Sequence, residues 1–166
     1  VICCSLFAQE RGPVSATPQQ IGEAISKLGD FDYATRMGAA RTLRRAPSAQ
    51  AVPALLQAAA EHADGFIRFR ALALLTGFND PRTIDVMEEA MTSPNDRLRE
   101  IGYAYFEQHP QPSMAPKFLA ALEKEEGEFV RPALVRALAA IHSQPGVAAV
   151  LIRDTRRGVD FFRSTV

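Results

Sequence analysis

Tryptophan is absent from this chain, and cysteine is confined to the adjacent pair Cys3 and Cys4. Two neighbouring cysteines at one end cannot staple a disulfide framework, so a small cross-linked scaffold is excluded. An excess of one charge is missing too. The 19 basic residues meet 19 acidic ones, for a formal net charge of zero. No global field then draws the chain to nucleic acid or to an anionic membrane. No apolar run reaches the roughly 20 residues that a membrane-spanning helix needs. No window alternates apolar and polar residues as a half-buried strand would. Gly-rich phosphate loops and nucleophile elbows are also lacking. The three histidines, His62, His109 and His142, lie far apart, so no helical pair at i, i+4 spacing is available for zinc. We therefore expect no catalytic residue, no metal site and no cofactor.

What the chain does have is a period. Arg36, Arg68, Arg99, Arg131 and Arg163 follow one another at steps of 32, 31, 32 and 32 residues. Three residues after these arginines stand Ala39, Ala71, Gly102, Leu134 and Val166, and seven after the first four stand Leu43, Leu75, Phe106 and Leu138. A fixed period in this range marks a repeat architecture. Upstream of each arginine lies another apolar set, such as Val52, Leu55, Leu56 and Ala59, or Ala115, Phe118, Leu119 and Leu122. Spacings of three and four put each set on one helical face. Each unit thus reads as a pair of amphipathic helices.

Punctuation supports this division. Pro18, Pro53, Pro81 and Pro116 fall at or near the expected start of each first helix, where the missing N–H has no intrahelical use. Asp32, Asp64, Asn95 with Asp96, Glu128 and Asp160 precede the second helices, where acidic and amide side chains suit the exposed N–H groups and the helix dipole. The acidic run Glu123, Glu125, Glu126 and Glu128 reads as a solvated helix end and loop. The expected fold is all-α, an α-solenoid of about five helix pairs. With 166 residues, 47% of them hydrophobic, the chain can bury a sizeable core as one domain.

Two segments, AVPALLQAAAEHADGFIRFRALALL and MAPKFLAALEKEEGEFVRPALVRALAAI, carry an apolar helix, an acidic turn, an arginine after an apolar residue, and apolar residues three and seven places on. This pattern resembles HEAT repeats, in the short form also found in the phycobilin-lyase HEAT-like group. The resemblance covers roughly residues 18–166. It implies that the arginine-headed helices line a concave face and that the other helices lie outside. It also implies protein binding or scaffolding as the function. Two departures stand out: Arg68 competes with Arg70 for the consensus place, and Gly102 replaces the usual alanine. An enzyme-associated lyase-like or chaperone module and a polyanion-binding solenoid are the alternatives. Neither has a catalytic set or a net positive charge behind it.

The ends read differently from the middle. Residues 1–8 form a short apolar run, and a polar stretch rich in Pro, Ser and Gln comes after it. Residues 1–17 are therefore expected to be a signal-peptide remnant and linker, and residues 18–166 the repeat domain, continuing beyond the sequence. Export to a bacterial periplasm or medium is the corresponding expectation, with membrane contact only through an N-terminal anchor upstream.

Charge is unevenly placed along the units. The arginine-headed windows 33–46, 66–78, 97–109 and 129–142 contain ten arginines but, as acids, only Glu100 and Glu107. Arg36, Arg68, Arg99, Arg131 and Arg163 are expected to form a structural ladder, pairing with turn acids or carbonyls. Arg41, Arg45, Arg70 and Arg136 are expected to face a partner from the concave side, with Tyr105 as an aromatic anchor. Such a face suits a protein or peptide partner of acidic character. Nucleic acid is not expected.

Overall fold

The computed structural model describes residues 16–155. The apolar run with Cys3 and Cys4, most of the linker, and the Asp160 and Arg163 expected to continue the series lie outside the described residues. Helix α1 spans Pro18–Lys27, α2 Tyr33–Arg45, α3 Ser48–Glu61, α4 Gly65–Leu75, α5 Thr83–Ala90 and α6 Asp96–Gln108. A 3-10 turn at Pro112–Met114 leads into α7 (Ala115–Leu122), with α8 (Val130–Ala140) and α9 (Val147–Thr155) after it. No strand occurs among the described residues. The helices pair as α1–α2, α3–α4, α5–α6 and α7–α8, with α9 as the first helix of a fifth unit. Successive pairs stack in chain order: α1 on α3, α3 on α5, α4 on α6, α6 on α8 and α7 on α9. This is an all-α solenoid.

Local chemistry sets the helix starts. Thr17 and Gln20 close a reciprocal capping box on α1, with Gln20 N–H donating to Thr17 Oγ1 at 3.2 Å and Thr17 N–H to Gln20 Oε1 at 2.8 Å. Asp32 accepts from the N–H of Thr35, Asp64 from that of Phe66, and Asn95 from that of Arg97. These three caps start α2, α4 and α6. Glu128 does not cap α8, whose preceding residue Phe129 is already helical in φ and ψ. Pro53 also departs from the sequence expectation. Helix α3 begins at Ser48, so Pro53 sits inside it and removes the bond that its N–H would have donated one turn back.

The core follows the period. Leu43, Leu75, Phe106 and Leu138, at equivalent places in four units, are all 0% exposed. Ala39, Ala71 and Leu134, four residues earlier, are buried as well. Gly102 fills the same place in the third unit for a steric reason. A Cβ there would lie 2.7 Å from Met91 Cγ and 2.8 Å from the Met87 carbonyl oxygen. Helices α5 and α6 therefore approach more closely than alanine allows. Phe118 on α7 completes an edge-to-face cluster with Tyr103 and Phe106, at centroid distances of 6.0 and 5.6 Å.

Arginines tie the turns to the stack. Arg36 donates to the carbonyls of Asp30 and Phe31, both at 2.7 Å. Arg99 donates to the carbonyl of Ser93 at 2.9 Å, and to Asp96 at 2.7 Å. It also grips Glu125 of the next unit through two bonds, at 2.9 and 3.0 Å. Arg131 donates to the carbonyls of Leu122 and Glu125, and to Asp154 of the following unit at 2.6 Å. Arg68 breaks the series, because its Nε is buried without a hydrogen-bond partner. The outer helices are joined by ion pairs of their own, Glu88 with Lys117 and Glu123 with Arg153.

Glu125 is therefore no solvated loop residue. Its side chain is only 8% exposed. Burial pushes its carboxyl up, but the Arg99 hydrogen bonds, the Gly127 N–H and the Arg131 charge outweigh burial and hold it below its ordinary value of 4.5. A carboxylate depressed in the folded state stabilises the fold at pH values above its unfolded value, and the gain is lost as pH falls through the lower folded value. Glu125→Gln should therefore cost about 1–3 kcal/mol at pH 7. Denaturant midpoints of wild type and variant should draw together as pH falls from about 4.5 through the lower folded value; a gap independent of pH would show that the charge of Glu125 is irrelevant to folding. The core makes a separate prediction. Leu75→Ala and Leu138→Ala should each cost on the order of 2–5 kcal/mol, and losses under about 1 kcal/mol in denaturant melts would contradict the register.

Candidate functional site

A repeat stack offers a surface more than a single pocket, so the site is built from the residues that the ladder and the core leave over. Taking each ladder arginine as origin, Arg41, Ala73, Ala104 and Arg136 share one place in the four described units, and Ala34, Phe66, Arg97 and Phe129 share another. Both rows lie on the arginine-headed helices or in their first turns.

The structure divides the four arginines expected to face a partner. Arg41 and Arg45 are exposed, and neither makes a hydrogen bond or ion pair among the described residues. Arg70 is half-buried and donates to the Leu28 carbonyl at 2.8 Å, 42 residues away along the chain. It bridges α4 to the end of α1, which is a structural task. The expectation that Arg70 is free to meet a ligand is corrected on this point. Arg136 donates to Glu107 at 3.0 Å, with its side chain 42% exposed. It links α8 to α6 and keeps part of its surface toward solvent.

Tyr105 is also corrected as an exposed anchor. It is buried, edge-on to Phe106 at 5.4 Å and stacked on His109 at 4.3 Å. Its helix lies along α8, the most extensive helix contact among the described residues. Burial raises the pKa of its hydroxyl, and does so more strongly for Tyr103, pushed up to about 12. Both tyrosines belong to the core.

The exposed aromatics lie elsewhere. Phe31, Tyr33 and Phe66 are exposed at the turns that open α2 and α4. Phe66 lies under two guanidinium groups, those of Arg70 and Arg97, each 5.6 Å from the ring centroid. Arg36 stands over Tyr33 at 5.7 Å. These are cation–π distances. Sequence reasoning passed over Phe66 and Arg97, although a signal existed. Phe66 immediately precedes the apolar stripe of Ile67, Ala71 and Leu75, so at helical spacing it falls off the buried face.

A cleft of about 690 Å³ opens between α1 and α2. Lys27, Arg41 and Arg45 line it with Thr35, Thr42 and the single acid Glu23. Among the described residues there is no group of three or more histidine, cysteine, aspartate or glutamate side chains placed to hold a metal ion. No helix among them is long and apolar enough to cross a membrane.

No curated protein matches the sequence. A family model for HEAT repeats matches residues 21–105, about half of the chain. That span holds most of the first helix pair, the whole of the second and most of the third, in the same register as the ladder. HEAT repeats generally mediate protein–protein contacts or scaffolding and are generally non-catalytic. With an all-helical stack of pairs beneath the match, the chain belongs to the HEAT-repeat family.

Proposed function

We propose that this chain is a non-catalytic scaffold that binds another protein through the face formed by α2, α4, α6 and α8. The observation that supports this best is Phe66. It is 52% exposed, it stands in the first turn of α4, and arginines from two successive units hold their guanidinium groups over it. An aromatic ring and arginines in one exposed patch are the usual anchors of a protein interface. Covering a phenylalanine side chain contributes about 1.5–3 kcal/mol, and the two arginines limit how the ring can move before a partner arrives. Arg70 is itself fixed by the Leu28 carbonyl, so the patch is partly ordered in advance, which lowers the entropy lost on association.

The partner surface spans at least two units, because the exposed Phe66 belongs to α4 and the exposed Arg97 to α6. Ala73, which is exposed, and Ala104, which is partly so, extend the same side with small residues and leave room for a partner's backbone.

The test is crosslinking in native extract with the full chain, comparing wild type, Phe66→Ala and an outer-face control, Ala60→Glu. Phe66→Ala should leave helicity and melting nearly unchanged, because the ring is not in the core. It should weaken partner capture by about 2 kcal/mol or more, the loss typical of an interface hot spot. Ala60→Glu should capture as wild type does. Undiminished capture by Phe66→Ala, with loss in Ala60→Glu, would move the binding surface to the outer helices.

A further inference from the structure

The ten arginines of the inner helices do not form one basic face. Arg36, Arg99 and Arg131 are spent on turn carbonyls, and Arg99 and Arg131 on acids of the next unit as well. Arg70 holds the Leu28 carbonyl and Arg136 holds Glu107. Arg97 stacks on Phe66. Arg68 keeps its Nε buried without a partner, and Lys124 stands among the acids of the α7–α8 turn. The remaining cations without a partner among the described residues gather at the first helix pair: Arg41, Arg44 and Arg45 on α2, and Lys27 in the last turn of α1.

Three of these four, Lys27, Arg41 and Arg45, line the α1–α2 cleft. Its only acid, Glu23, already accepts a hydrogen bond from Gln19 at 3.0 Å. Thr35 and Thr42 also line it, and the floor is small and apolar, with Ala16, Ala24 and Ala39. Thr35 Oγ1 donates to Asp32 and Thr42 Oγ1 to the Gly38 carbonyl, so the hydroxyls are held in place. The cleft thus combines a net positive lining with a volume of about 690 Å³, within the range of concave ligand sites. Arg41 and Arg45 are four residues apart on one helix, so their guanidinium groups sit one helical turn apart.

We infer that the α1–α2 cleft binds an acidic segment of a partner protein, with carboxylates one helical turn apart meeting Arg41 and Arg45 and a third meeting Lys27. This rests on the reading of the chain as a protein-binding scaffold and names the chemistry of what it takes. Guanidinium groups bind carboxylates through paired N–H donors, which a neutral amide side chain cannot match. The aliphatic stems of Arg41 and Arg45, together with the alanine floor, give a partner helix an apolar strip to lie on. Exposed charges on this rim also steer an acidic partner and make its binding sensitive to salt.

Fluorescence anisotropy with the full chain tests this. The probe is a labelled alanine-based helical peptide carrying glutamates one turn apart. The comparison probes are the same peptide with glutamines, and a single-stranded oligonucleotide of equal charge. The glutamate peptide should bind at least about tenfold more tightly than the other two, as two charge-assisted pairs require. Arg41→Glu with Arg45→Glu should weaken it at least about tenfold without changing helicity or melting, and added salt should weaken it further. Ala60→Glu on α3 should leave it unchanged; the crosslinking test reads a different residue, Phe66, so the two results can fail separately. Equal affinity for the glutamine peptide would overturn the inference. So would equal or tighter binding of the oligonucleotide, which would make the cleft a site for bare polyanions. Absence of peptide binding would also overturn it; a shifted melting temperature in the double variant would then show that the arginines serve the chain's own fold.

Discussion

The guanidinium groups at the heads of the inner helices, above all those of Arg99 and Arg131, make the interaction on which the rest depends. The turn between the two helices of a pair leaves carbonyls that no helix satisfies, and a stack buries them beside the next pair. Arginine carries five N–H donors in a rigid fork. Arg99 uses them on the Ser93 carbonyl, on Asp96 and on both oxygens of Glu125. One side chain therefore closes its own turn and fastens the following unit. Lysine has its donors on one atom and could not reach carbonyl and carboxylate in that arrangement. Arg131 repeats the geometry with Leu122, Glu125 and Asp154. Glu125 stands in both networks, offering its carboxylate to Arg99 and its carbonyl to Arg131, so two successive joints share one residue.

This constraint sorts the positive charge. An arginine used at a joint is screened by its acid and tied by its carbonyls, so it has little left for a partner. What remains free is decided by where the joints fall. Helix α2 has less contact with α4 than α6 has with α8, and its surplus arginines have no acid of a neighbouring unit to meet. The basic surface is therefore local to the first pair, although the chain as a whole has no net charge. The exposed aromatics at the turns, Tyr33 and Phe66, take their arginine neighbours from the same supply. Scaffold and binding surface draw on one residue type, divided by position.

Much of this was legible in the sequence, because a repeat writes its core several times. Leu43, Leu75, Phe106 and Leu138 could be placed by spacing alone, and all four are fully buried. Asp32, Asp64 and Asn95 could be placed as caps from their residue types and from the apolar helical spacing that begins just after each of them. Partners distant along the chain were not legible. Nothing local marks Glu125 as the acid for Arg99, 26 residues away, so the acidic run looked solvated. Tyr105 sits next to the buried Phe106 place, and its burial depends on how its own helix packs. Arg68 and Arg70 both fit the consensus spacing, and only the position of the Leu28 carbonyl shows that Arg70 makes the bridge between units. The unpartnered state of Arg41 and Arg45 was equally hidden, since it depends on which acids come near.

The most direct measurement of the central claim is a double-mutant cycle on Arg99 and Glu125, read by denaturant unfolding of wild type, Arg99→Ala, Glu125→Ala and the double variant. Residues joined in one hydrogen-bonded network show coupling of about 0.5–3 kcal/mol. Arg99 and Glu125 should couple within that range, while neutralising Arg41 by Arg41→Ala should leave stability nearly unchanged. Additive losses at Arg99 and Glu125, within about 0.3 kcal/mol, would contradict the claim that these arginines join one unit to the next.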